Sequence, residues 1–127
     1  METTVPTLYE RLGGAPAIEA VVDELYNRIL SDPDLAPFFS RVNLRSQKGR
    51  MRAFVTMVTG GPNEYHGRDM KTAHQRHAIE DRHFDLVAGY LVGTLEWAGA
   101  DREAADELVT MVAGLRGDVV TVKPATV

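Results

Sequence analysis

Apolar residues recur along this chain every three or four positions, and the stretches they mark are closed by glycine, proline or a capping residue. Ile18, Val21, Val22, Leu25 and Ile29 form one stripe. That spacing is the period of a helix with one buried face. Leu44, Met51, Phe54, Val55 and Val58 mark a second stripe, and Phe84, Val87, Ala88, Leu91 and Leu95 a third. Ala105, Leu108, Val112, Leu115 and Val119 mark one last long helix. The punctuation agrees. Thr7-Leu8-Tyr9-Glu10 has capping-box spacing and Gly13-Gly14 closes the short helix it starts. Pro16 suits the first turn of the next helix, which Asp32-Pro33 stops before a short helical turn through Phe38-Phe39. Asn43, Asp69, Asp81 and Asp101 are expected caps, and Gly60-Gly61-Pro62 and Gly99 expected stops. A loop is expected over about 63–68. The helix capped by Asp69 would carry Met70, Ala73, His74 and His77 on one face. No alternation of period two persists and no repeat occurs. The expectation is one all-α domain over residues 1–127, with a core from about 7 to 120 and loose ends at 1–6 and 121–127.

Composition narrows the chemistry. The chain's 127 residues suffice for a single core with room for one internal cavity. A hydrophobic share of 44% and a charged share of 25% are ordinary for a globular protein. A formal net charge of −4 argues against nucleic acid as a partner. There are no cysteines, so disulfides, thiolate metal sites and cysteine nucleophiles are excluded. The first six residues carry neither a basic region nor an apolar run, and no stretch approaches a membrane span. A cytoplasmic protein with no membrane association is the expectation.

The informative residues are polar ones on apolar stripes, because a buried polar group needs a partner. Gln47 lies between Leu44 and Met51, Tyr26 between Val22 and Leu30, and His74 beside Met70 and Ala73. A cavity holding a polar or metal centre would account for all three. Each also has a plainer reading. A helical Tyr usually belongs to the core with its hydroxyl on water or a carbonyl. An inward Gln often sits at a solvated edge, and an inward His is more often hydrogen-bonded than ligating. Glu80-Asp81-Arg82-His83 contains a Glu-x-x-His, but a carboxylate di-iron bundle needs two such motifs and further glutamates. It is read as chance, and a di-metal enzyme is a third reading that metal analysis distinguishes. No phosphate-binding glycine loop is present.

The run Leu8-Tyr9-Glu10-Arg11-Leu12-Gly13-Gly14 resembles the opening of the group I truncated haemoglobins. So do Asp32-Pro33 with Phe38-Phe39, Thr59-Gly60-Gly61-Pro62, Tyr65-x-Gly67-x-x-Met70, Ala73-His74, His83-Phe84-Asp85-x-Val87 and Thr94-Leu95. The resemblance covers about residues 7 to 120. It implies a two-over-two helical sandwich, an abbreviated globin fold, around haem b. It puts the proximal iron ligand at His74, the distal tyrosine at Tyr26 and the distal polar position at Gln47. Phe39 and Phe54 become pocket walls, Arg50 a partner for a haem propionate, and Met51 and Met70 further haem contacts. Many relatives carry a second distal amide where this chain has Met51, which cannot donate a hydrogen bond. Relatives that attach haem covalently use a histidine in the last helix, and no histidine follows His83.

What the resemblance implies functionally is binding of oxygen, nitric oxide or carbon monoxide, with nitric oxide dioxygenation as a second activity. The latter consumes an electron per turnover and so requires a separate reductase. Neither His77 nor His83 is expected to ligate iron. A monomer or weak homodimer is expected. The competing reading is a haem-free helical binding module that keeps the globin fold. Such a module would have no reason to retain His74, Tyr26, Gln47 and Phe39 together.

Overall fold

Thr7 begins the first helix as its spacing predicts: its hydroxyl accepts the Glu10 N–H at 3.1 Å, and the Glu10 carboxylate takes the Thr7 N–H at 3.4 Å. The computed structural model describes residues 5–63, 65, 73–74 and 77–122. Among these residues all regular structure is helical. The elements are α1 (Leu8–Leu12), α2 (Gly14–Leu30), a 3₁₀ turn (Ala36–Phe39), α3 (Leu44–Val58), α4 (Asp81–Trp97), α5 (Arg102–Ala113) and α6 (Arg116–Val119). Ala73 and His74 also have helical backbone. Asn43 and Asp101 cap α3 and α5 through their side-chain oxygens, as expected. Gly13 takes the left-handed conformation at φ 111° that ends α1.

α2 is the central helix, packed on α1, α3 and α4, while α5 lies against α4 and α1. The chain is therefore two helix pairs, α2 with α3 and α4 with α5, joined where α2 meets α4. The predicted stripe of α2 is buried throughout, with Val22 only 1% exposed. Each such aliphatic side chain contributes roughly 1.5–3 kcal/mol over an exposed one. Fully buried Ala104 lets α5 approach closely, and fully buried Thr94 is satisfied by its own helix through the Tyr90 carbonyl. Asp32 does more than stop α2. Its Oδ1 accepts the Asp34 N–H at 2.8 Å, and its Oδ2 accepts the Tyr90 hydroxyl at 2.5 Å, tying this corner to α4.

The structure departs from the sequence expectations in four places. The cap of α4 is Glu80, and Asp81 is the first helical residue. The Glu80 N–H is taken by His83 Nδ1 at 2.9 Å, so the Glu-x-x-His spacing serves to start a helix. The last long helix is broken at Gly114. Gly114 and Gly117 are weak helix formers. The break also lets Arg116 reach Asp81 at 3.1 Å and Asp85 at 2.5 Å and lie over the Phe84 ring. Leu115 and Val119 consequently stay half-buried. The expected loose end does not begin at Thr121, since the N–H groups of Thr121 and Val122 both donate to the Ile79 carbonyl. The Thr121 hydroxyl accepts the Ile79 N–H at 2.8 Å and donates to the His77 carbonyl. Finally, Gly61 is more than a helix stop. A Cβ there would stand 2.7 Å from the Tyr9 ring, which packs on it while the Tyr9 N–H bonds the Thr59 carbonyl. Except for Asn63 and Tyr65, the predicted loop over 63–68 lies outside the described residues, as do the cap at Asp69 and Met70.

Candidate functional site

Tyr26 sits on the α2 stripe between Val22 and Leu30, which carries it inward to 1% exposure. Phe39, delivered by the 3₁₀ turn, stands edge-on to its ring with centroids 5.5 Å apart at 87°. This contact fixes the ring and leaves the hydroxyl facing α3. There Gln47, one turn into α3, donates from Nε2 to the Tyr26 oxygen at 3.1 Å. Arg50, one turn further along, donates from Nη2 to Gln47 Oε1 at 2.9 Å. A guanidinium has donors only, so the amide oxygen must face Arg50 and the amide N–H must face Tyr26. The direction of the chain is thereby set: Arg50 to Gln47 to Tyr26. The tyrosine oxygen accepts, and among the described residues no acceptor takes its proton.

Burial pushes the Tyr26 hydroxyl above its ordinary pKa, and this outweighs the opposing pull of the Gln47 hydrogen bond and the Arg50 charge. The phenol is therefore a neutral donor at physiological pH.

Tyr26 lines a cavity of 1310 Å³. That is larger than the roughly 300–1,000 Å³ of most small-ligand sites. Its walls are mainly apolar and come from α1, α2, the 3₁₀ turn, α3, α4, α5, the turn before α5 and the segment at His74. Tyr26, Phe39, Gln47, Arg50, Met51, Phe54 and His74 all line it. His74 is half-buried, Arg50 exposed, and Phe54 meets Tyr65 edge-on at 5.4 Å. The site thus has an imidazole, a spare hydroxyl proton and a cation at its exposed rim, within otherwise apolar walls.

The model of the bacterial-like globin family matches residues 7–121. A group 1 truncated haemoglobin of Mycolicibacterium paratuberculosis is 38% identical over 115 residues, which is 91% of this chain and 85% of that protein. The chain belongs to the group 1 truncated haemoglobins. A further group 1 truncated haemoglobin, from Synechocystis, is 37% identical over 87% of this chain and 90% of its own length. The ferric truncated haemoglobin of Tetrahymena pyriformis superposes with a TM-score of 0.86 at 32% identity, over 91% of this chain and 98% of that one. The 2/2 haemoglobin of Synechococcus, solved in the cyanomet state with covalently attached haem, gives a TM-score of 0.87 at 35% identity. That match covers 92% of this chain and all of the other. The two helix pairs are accordingly the two-over-two sandwich of truncated haemoglobins, and as a globin the chain binds haem and a gaseous ligand.

In this truncated haemoglobin the cavity also takes residues that sequence reasoning did not assign to it. Phe38 and His83 line it, with ring centroids 5.0 Å apart, and so do Phe84 and Leu91 of α4. Phe84 and Leu91 were legible as an inward stripe. In the sequence His83 stood in the run His83-Phe84-Asp85-x-Val87 and at a spacing from Glu80 that was read as chance, and neither assigned it to the cavity. Its Nδ1 accepts a backbone N–H, which places its ring proton on Nε2. His77 is exposed, at the end of a turn in which its N–H bonds the His74 carbonyl. Among the described residues no group of three or more His, Asp or Glu side chains could hold a metal ion on its own.

Proposed function

We propose that this chain holds haem b through His74 and uses Tyr26 and Gln47 to retain oxygen or another diatomic ligand. The observation that carries the reading is a Tyr26 proton that no described residue claims, on the wall of a cavity that His74 also lines. The cavity suits the group: large apolar walls match a flat macrocycle, and exposed Arg50 at the rim matches its anionic carboxylates. When bound, haem supplies an iron that shifts electron density onto a diatomic ligand. A neutral imidazole of His74 is the one ring nitrogen donor required. Tyr26 then directs its proton at the partly anionic ligand, and dry walls strengthen that bond. Phe39 and Phe54 exclude water. Met51 adds packing and no donor, so ligand release is expected to be faster than from a pocket with a second amide.

The same pocket suits nitric oxide dioxygenation, which forms nitrate and needs an electron from a separate reductase. We place the protein in the cytoplasm as a monomer or weak homodimer. Among the described residues no helix is long and apolar enough to cross a membrane. The test is the visible spectrum of the haem-loaded protein, reduced and exposed to carbon monoxide, beside His74→Ala. A sharp carbonmonoxy spectrum that His74→Ala loses or alters supports the assignment. An unaltered spectrum in the variant would remove His74 as the ligand.

A further inference from the structure

The side-chain amide of glutamine is nearly symmetric in shape, and its last torsion is broad and two-fold. Turning it over exchanges a donor for an acceptor at almost no steric cost. The consequence for Tyr26 is large. With Nε2 facing it, the hydroxyl oxygen accepts and the proton is spare. With Oε1 facing it, the proton is spent on the glutamine and nothing remains for a ligand. The orientation of Gln47 therefore decides whether the site has a distal donor.

Nothing on the Tyr26 side fixes that choice, because a hydroxyl both donates and accepts. The other end of the amide does fix it. Arg50 Nη2 lies 2.9 Å from Gln47 Oε1, and a guanidinium never accepts. A flipped amide would set N–H against N–H there. We propose that Arg50 is a positioning residue for ligand binding: by holding Gln47 Oε1 it orients the amide, and the oriented amide keeps the Tyr26 proton free. This rests on the reading of Tyr26 as the ligand's donor. The role is distinct from pairing with a haem carboxylate. Arg50 has five N–H donors and spends one on Gln47, so both can coexist. The geometry also makes the effect reversible in sign. An acceptor at position 50 would attract the amide N–H, turn Oε1 toward Tyr26 and capture its proton.

Arg50 is exposed, so substitutions there leave the fold intact. The experiment is infrared spectroscopy of the carbonmonoxy form, whose C–O stretch falls when a donor points at the ligand. Wild type, Tyr26→Phe, Arg50→Met and Arg50→Glu are compared. Wild type should give one low band and Tyr26→Phe one high band. Arg50→Met, with the amide free to turn, should give both. Arg50→Glu should give mainly the high band, with oxygen release accelerated roughly tenfold, the scale of a lost charge-assisted hydrogen bond. Wild-type bands in both Arg50 variants, with Tyr26→Phe shifted, would overturn the positioning role and leave Tyr26 as donor. An unshifted band in Tyr26→Phe would overturn the donor assignment itself.

Discussion

Tyr26 and Tyr90 each join distant parts of this globin through the hydroxyl, and they are wired in opposite directions. On α4, Tyr90 donates to the Asp32 carboxylate at 2.5 Å, so its proton is consumed. On α2, Tyr26 accepts from Gln47 at 3.1 Å, so among the described residues its proton is left over. The two groups are chemically identical, and each is raised above its ordinary pKa, for different reasons. Hydrogen bonding to the Asp32 carboxylate is the main cause at Tyr90, and loss of solvation at Tyr26. What separates a structural tie from the donor proposed at Tyr26 is the partner's character. A carboxylate can only accept, whereas an amide pinned by an arginine can only give. Direction within a hydrogen-bond network, more than the residue type at either end, assigns the role.

The comparison is broken most sharply by removing each hydroxyl in turn. Tyr26→Phe should speed oxygen release by roughly tenfold to a hundredfold, since a hydrogen bond to a charged partner contributes about 1–3 kcal/mol. Stopped-flow displacement of oxygen measures it. Tyr90→Phe should leave that rate unchanged and lower Tm instead. Equal effects of the two variants on release would erase the distinction between them.

A pH series sharpens it further. The Tyr90 hydroxyl, then the Asp34 N–H, hold the Asp32 carboxyl below its ordinary pKa. A group whose folded pKa is depressed stabilises the fold fully above its unfolded pKa and loses that contribution as pH falls through the folded value. The Asp32 contribution is therefore intact at neutral pH and fades on acidification through and below the ordinary carboxylate range. Tyr90→Phe should flatten this acid limb of Tm against pH. Tyr26→Phe should leave it as in wild type, because among the described residues no carboxylate bonds that hydroxyl. A parallel acid limb in wild type and Tyr90→Phe would detach Asp32 from the tie.

The helices were legible because their stripes and caps are local: Ile18 to Ile29, the Thr7 box, and the Asn43 and Asp101 caps follow from neighbours a turn away. Tyr26 and Gln47 stood out as polar residues on apolar faces, which flags burial without naming the partner. Their hydrogen bond joins residues 21 positions apart, and the Arg50 contact depends on which end of an amide points outward. Periodicity carries neither fact. The Asp32–Tyr90 tie spans 58 positions, and Asp32 had a sufficient local reading as a helix stop. The Glu80–His83 spacing, read as chance, has a physical reason that sequence did not supply: a spacing of three also serves a helix cap. The break at Gly114 was hidden because Leu115 and Val119 continue the stripe, while the gain that offsets the break lies on α4, at Asp81, Asp85 and Phe84.

The smallest effect belongs to a second tie of the Tyr90 kind, at the chain's end. Thr121 accepts the Ile79 N–H through its hydroxyl and returns that hydroxyl's proton to the His77 carbonyl. Both of its capacities are used inside the protein, and the segment it closes starts three residues past His74. Thr121→Val keeps the shape of the side chain and removes both bonds. The backbone bonds from Thr121 and Val122 to the Ile79 carbonyl remain. The expected loss is about 1–2 kcal/mol of stability, since two ordinary hydrogen bonds at the lower part of the roughly 0.5–1.5 kcal/mol range are removed. Denaturant unfolding of the haem-loaded protein measures it. Oxygen release should stay at the wild-type rate, because this hydroxyl, like that of Tyr90, has no proton to offer. A changed release rate would mean that the pin on Ile79 reaches the ligand through His74, and that closed ties in this fold also tune the site.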